Sequence, residues 1–402
     1  MLDDNFLYGS VVGGSFIFFI FMLIIFLLST DRLLTKKLLI IIAIAFVLRV
    51  ITLNFYALTP TDSSISYFPD ATLVFGGFGS HFASYISGIL KLLGFETLLS
   101  QYYFSNAMGF LGGYFYFKVY LFICRDANFS HREYDHCGAY ALIWLWPSSL
   151  LWTTGIGKDS LMYLCLAIFL YGATIIRFQK IKAIFLWIIS LFLIWMLRPQ
   201  IFIPLVGALF LLSLFSQKIS IQIRLFILVI FVVAIIYLLP EILQYGRVQG
   251  VGDIAARAVQ SQGYLSSGTA IFLPTQNSHL VFFFLPYTML ANLFFPIFLG
   301  IRNVTGAFAS VENLILLFLV WQYIRMKSVF FVVFSSRTQL FVKYIQFYLV
   351  GGIAVLGLLN VNLGLAMREK LMFTAPFLVL LAVSVVFKTK YGAQLKLRHR
   401  HV

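Results

Sequence analysis

Charge is what this sequence has least of: only 11% of its 402 residues are Asp, Glu, Lys or Arg, against 61% that are hydrophobic. Soluble globular chains carry about a quarter charged and about half apolar residues, so a large water-soluble domain, a disordered chain and a collagen are all excluded. Cysteine is scarce as well. Cys124, Cys137 and Cys165 lie in or beside apolar runs without metal-ligand spacing, which speaks against a disulfide framework or a zinc site and for small core residues. The sequence also lacks low-complexity segments and visible internal repeats, so the inverted-repeat architecture of many secondary transporters finds no support. Acidic residues are few: 29 Lys and Arg face 14 Asp and Glu. The basic residues are scattered between apolar runs instead of gathered on one soluble face, so nucleic acid is not the implied partner, and the positive-inside bias of membrane proteins accounts for most of them.

What the chain has in abundance is apolar length. A membrane-spanning helix needs about 20 mostly apolar residues, because the hydrocarbon is about 30 Å thick and each helical residue rises about 1.5 Å. That ruler predicts eleven spans, at 11–29, 38–58, 102–124, 137–153, 160–177, 183–197, 200–216, 223–243, 308–324, 344–361 and 371–387. The fold class expected is therefore all-α: a polytopic integral membrane helix bundle occupying 1–387 as one domain, with a basic cytoplasmic tail at 388–402. Asp3 and Asp4 precede the first span where a signal peptide would be basic, so it reads as an anchor with the N-terminus outside. The stretch 279–301 is long enough to cross but is interrupted by Pro286 and Pro296. Read as a re-entrant or interfacial segment, it leaves Arg325, Lys327, Arg337, Lys343 and the C-terminus in the cytoplasm and 244–307 outside, the arrangement that gathers most basic residues inside.

Under this threading eight basic residues remain outside: Lys91, Lys158, Arg198, Arg247, Arg257, Arg302, Arg368 and Lys370. Ionisable groups near membrane depth are costly and usually face a cavity or a partner, so such a set at helix mouths predicts an anion-binding chamber, with snorkelling to lipid phosphates as the alternative for any single residue. The stretch WPSSLLWTTGIGKDSL at 146–161 is the most informative. It places Lys158 and Asp159 at the outer N-terminus of a span, where free backbone N–H groups and the helix dipole favour an anion; a capped helix start with Asp159 in its first turn is the plainer reading. A nucleotide-binding loop is excluded, since Trp152 and Asp159 stand where that motif needs Gly and Ser or Thr. Arg198, followed by Pro199, sits between two spans, where a guanidinium can hold a phosphate through two N–H groups. Asp62 and Asp70 lie in the first long outer loop. Either could act as general base for a sugar hydroxyl, help hold a divalent cation, or simply form a turn. Arg368, Glu369 and Lys370 precede the last span, and Glu312 opens the span at 308.

Four segments, WPSSLLWTTGIGKDSL, RPQIFIPL at 198–205, IRNVTGAFASVENLILL at 301–317 and MREKLMFTAPFLVLLA at 367–382, resemble membrane proteins of bacterial surface-polysaccharide clusters. Those proteins in turn resemble GT-C glycosyltransferases and repeat-unit polymerases of the O-antigen or capsule type. The resemblance implies a GT-C-like bundle in the bacterial inner membrane, working at the outer leaflet with other polysaccharide-assembly proteins on a saccharide carried by polyprenyl (di)phosphate. It also implies an acidic base in the first outer loop, here Asp70 or Asp62, with Asp159 as a third carboxylate. Lys158, Arg198, Arg302, Arg368, Lys370 and Arg257 would face the substrate. The chain departs from the better-known GT-C enzymes in lacking their paired acidic signature and any large soluble domain. A transporter or flippase of lipid-linked saccharides would need a similar cationic cavity.

Overall fold

A computed structural model describes residues 4–58, 68–155, 158–215, 220–222, 224–225, 228–229, 231–232, 283–295, 304–359 and 363–398. Among them the regular structure is entirely helical. In chain order the helices are α1 (Asp4–Thr30), α2 (Lys36–Leu58), α3 (Ser80–Leu92), α4 (Leu98–Asp126), α5 (His131–Cys137), α6 (Ala141–Trp144), α7 (Pro147–Trp152), α8 (Lys158–Ile175), α9 (Lys180–Leu197) and α10 (Pro199–Phe215), followed by α11 (Leu285–Phe294), α12 (Val304–Val333), α13 (Ser336–Leu359) and α14 (Leu363–Arg398). Eight of them, α1, α2, α4, α8, α9, α12, α13 and α14, are long and apolar enough to cross a membrane.

Three of the eleven expected spans fare differently. The expected span 137–153 is broken into pieces: Gly138 closes α5 in the left-handed conformation, α6 has only 4 residues, and Pro147 opens the 6-residue α7. Lipid would not tolerate such exposed backbone, but Ile143, Trp144, Trp146 and Ser149 are buried in protein, and irregular backbone survives at membrane depth when protein covers it. The span expected at 200–216 is α10, an apolar helix of 17 residues containing Pro204. That at 223–243 lies largely outside the described residues. Of the segment expected to re-enter, the described part is α11, whose 10 residues rise about 15 Å, about half a bilayer, with Pro286 in the first turn.

The helices gather into two compact units. The first holds Met1–Arg198, Gln322–Val333 and Leu378–Val402. Its centre is α4, which packs on α1 and α8, while α8 pairs with α9. A Thr97–Ser100 capping box starts α4, and its body is buried nearly all round, its own aromatic residues Tyr102, Phe110, Tyr116 and Tyr120 among the buried ones. Polar contacts join the ends of several helices at one side of this unit: Lys118 pairs with Asp31, the Thr35 hydroxyl donates to Asp135 at 2.7 Å, and Lys390 reaches Glu133 at 3.0 Å. The second unit holds Pro199–Trp321 and Phe334–Phe377. There α13 packs on both α10 and α11. Tyr344 and Tyr348, both buried on α13, donate to the Leu205 and Met372 carbonyls at 3.2 and 3.3 Å, so neither hydroxyl is left unsatisfied.

Candidate functional site

Three helix ends of the first unit meet at a buried charged cluster. Pro199 disfavours helical geometry in the residue before it, and Arg198 accordingly leaves α9 with φ −151° and ψ 83°. Its guanidinium Nη2 donates to Asp159 Oδ1, in the first turn of α8, at 2.6 Å. Both side chains are withdrawn from solvent, at 4% and 2% exposure. Beside them Lys158, also buried, donates from Nζ to the Ser80 hydroxyl at 3.4 Å. Ser80 reaches this position because Gly79, before α3, takes φ 67° and ψ −114°, a backbone shape that side chains oppose. The Gly79 N–H donates to the Met196 carbonyl at 2.8 Å, and Phe78 packs edge-on against Trp195 at 5.5 Å, fastening the start of α3 to the end of α9.

Two cations and one carboxylate thus sit at the N-terminus of α8, where the helix dipole adds positive potential. Asp159 orients the guanidinium fork, and Arg198 and Lys158 together make the cluster cationic. A small cavity of about 20 Å³, no larger than a water molecule needs, is lined by Leu161 and Leu197, each within two residues of a cluster member, and by Leu90, Phe104 and the hydrogen-bonded pair Ser87 and Gln101.

The other residues singled out by sequence are placed as follows. Asp70 is exposed in the turn before α3. Its loop is anchored by Lys91, whose Nζ donates to the Phe68 carbonyl at 2.9 Å and lies 4.1 Å from the centre of the Phe68 ring. Asp62, Arg257 and Arg302 lie outside the described residues. Arg368, half-buried, and Lys370, buried, belong to the second unit. There Lys370 Nζ donates to Asn313 Oδ1 and, at 3.4 Å, to the Leu293 carbonyl at the end of α11, with the buried Glu312 as its nearby opposite charge. Each unit therefore has its own buried cation. Among the described residues no three His, Cys, Asp or Glu side chains group as a metal seat.

Arg49 lies within the expected span 38–58 and is not among the candidate site residues. The structure makes it the centre of a buried polar network. Its Nη1 donates to Asn106 Oδ1 at 3.1 Å and to the Thr153 hydroxyl at 2.8 Å, while Asn106 returns a bond to the Arg49 carbonyl at 3.0 Å. This network ties α2 and α4 to the residue that ends α7, five positions before Lys158. The available signal was a lone arginine in the apolar run 38–58, with Asn106 and Thr153 as polar interruptions in others. Nothing in the sequence paired them.

Comparison with known proteins returns no match: no family model, no curated protein and no solved structure pairs significantly with this chain.

Proposed function

We propose that this chain is a GT-C-like membrane glycosyltransferase or repeat-unit polymerase, which transfers a glycosyl group from a polyprenyl (di)phosphate carrier to a saccharide acceptor at the outer leaflet of a bacterial inner membrane. The observation that carries the reading is the Lys158–Asp159–Arg198 cluster, buried at helix ends in a bundle of apolar helices. A carrier phosphate is an anion tethered in lipid, so cations at a helix mouth are where its charge is neutralised as it leaves. In this reading the N-terminus is outside and the broken segment 137–153 crosses under the cover of protein, which would put this cluster on the outer side.

In the proposed reaction the acceptor hydroxyl oxygen attacks the anomeric carbon while Asp70 accepts its proton, and the bond from that carbon to the carrier phosphate breaks. Lys158 and Arg198 hold the negative charge that collects on the departing phosphate. Asp70 suits the base because it stands exposed, open to a polar acceptor. Asp159 spends Oδ1 on Arg198 and serves to aim the guanidinium.

Purified protein in lipid, given a polyprenyl-linked oligosaccharide, should release free carrier and extend the acceptor. Asp70→Asn should cost about 100-fold to 10,000-fold in rate with carrier binding retained, and Arg198→Lys should weaken binding, because a point-charge ammonium cannot reproduce the fork. Full activity in Asp70→Asn rejects that base. Movement of labelled saccharide across a sealed bilayer without carrier release would replace transfer by transport.

A further inference from the structure

Helices α8 and α9 form a hairpin whose open end holds Lys158 and Arg198. Each has 18 residues, so the hairpin is about 27 Å long, close to the hydrocarbon thickness. Set across a bilayer, a hairpin of this length carries its closed end to the opposite surface, and at that end Arg177, Lys180 and Lys182 stand exposed within six residues. None of the three forms an ion pair among the described residues, and no Asp or Glu occurs anywhere between Asp159 and Glu241. Between them Phe178 and Ile181 are 76% and 87% exposed. From Ile181 an apolar stripe runs up the outer face of α9 through Phe185, Ile188 and Phe192, all exposed, at the spacing of one helical face.

The turn is rigid. The Trp187 indole N–H donates to the Phe169 carbonyl at 2.9 Å across the hairpin, and a Cβ at Gly172 would stand 2.9 Å from the Trp187 ring, so the helices approach this closely only because that residue is glycine. Phe178 and Gln179 N–H both donate to the Ile175 carbonyl at 2.9 Å, closing the connection.

We propose that this turn is a binding site for anionic phospholipid of the leaflet opposite the charged cluster, phosphates held by Arg177, Lys180 and Lys182 and acyl chains laid along the α9 stripe. Three cations continuous with an apolar stripe fit an anionic head covalently joined to hydrocarbon, which neither a nucleic acid nor a free phosphate supplies. The site goes beyond the proposed transfer reaction and does not depend on it. Its consequence is mechanical: anchoring the closed end fixes the depth of Lys158 and Arg198 at the other.

The test is titration of the detergent-solubilised full chain with phosphatidylglycerol, phosphatidylcholine or inorganic phosphate, read by native mass spectrometry and by the unfolding midpoint, with no sugar donor present. A juxtamembrane cation contributes roughly fivefold to binding an anionic surface. Arg177→Gln, Lys180→Gln and Lys182→Gln together should thus weaken phosphatidylglycerol binding on the order of a hundredfold, each alone roughly fivefold, with phosphatidylcholine unaffected. Lys36→Gln, Arg125→Gln and Arg132→Gln, exposed cations away from the α9 stripe, should weaken binding far less. Unaltered binding in the first triple variant overturns the proposal. Equal loss in the second triple assigns the effect to diffuse charge, equal protection by inorganic phosphate assigns it to a headgroup-free anion, and a dimer that the first triple variant dissociates assigns the face to a second copy of the chain; each of these also overturns it.

Discussion

Removing Asp159 tests whether the charged cluster is a coupled unit. The Arg198–Asp159 pair is 2.6 Å long and its side chains are 4% and 2% exposed, so deleting the carboxylate leaves a guanidinium where water cannot solvate it. Breaking a buried pair from one side costs about 3–5 kcal/mol, whereas replacing both partners by apolar residues of similar size is often close to neutral. Asp159→Leu and Arg198→Met should each destabilise by about 3 kcal/mol or more. Asp159→Asn should cost less, since the amide oxygen still accepts one hydrogen bond and the loss is confined to the charge-assisted part, about 1.5–3 kcal/mol. The double variant Asp159→Leu with Arg198→Met should be more stable than the sum of the singles by at least about 2 kcal/mol, a coupling well above the additivity error of about 0.5 kcal/mol. The assay is reversible unfolding in mixed micelles followed by tryptophan fluorescence, with carrier-phosphate binding measured on the same four proteins. Strict additivity would refute the coupling. A double variant that regains stability but not carrier binding is the expected signature of a pair kept for its ligand at some expense in stability.

Three further outcomes follow from separate parts of the chain. In the second unit a Cβ at Gly352 would overlap the Phe373 ring, so Gly352→Ala should cost about 1–3 kcal/mol in thermal unfolding, and Phe373→Leu should relieve it in that background. Burial pushes the Glu133 carboxyl up, but the Ser130 N–H and the Lys390 ammonium outweigh it and hold it below its ordinary value of 4.5. Its contribution to stability is therefore complete above about pH 4.5 and lost as pH falls through the lower folded value, and Glu133→Gln should flatten that acid limb of the unfolding curve. In a background with Cys124, Cys137 and Cys165 replaced, an impermeant thiol reagent applied to intact cells should label Gln260→Cys and not Phe330→Cys; the reverse would shift every loop after 244 to the other side.

Apolar length was the part of the fold legible in sequence, because a span is set by one quantity, about 20 residues of hydrocarbon-compatible chain. Eight of the expected spans correspond to helices of that kind. The run 137–153 misled for the same reason: its composition is apolar, but Gly138 and Pro147 punctuate it, and a window that averages hydropathy does not see that buried protein can shelter a broken helix. Gly and Pro within an apolar run are better evidence of an internal, protein-covered segment than of a lipid-facing span.

The charged residues were legible as a set and not as partners. Burial cost alone marks Lys158, Arg198 and Lys370 as residues needing company, and all three are buried. Which company depends on contacts the chain makes far apart in sequence: Asp159 with Arg198 across 39 residues, Lys158 with Ser80 across 78, Lys370 with Asn313 across 57. No helical periodicity carries that information. It is set where helix ends meet, and those meetings are decided by local devices, Pro199 turning Arg198 out of its helix and Gly79 bending the chain into α3. The same logic separates the two ends of the α8–α9 hairpin. Its buried cations have a carboxylate from the chain itself, while its exposed ones have none from Asp159 to Glu241. Among the described residues the second group pairs with no carboxylate, and the opposite charge proposed for it is that of an anionic lipid headgroup.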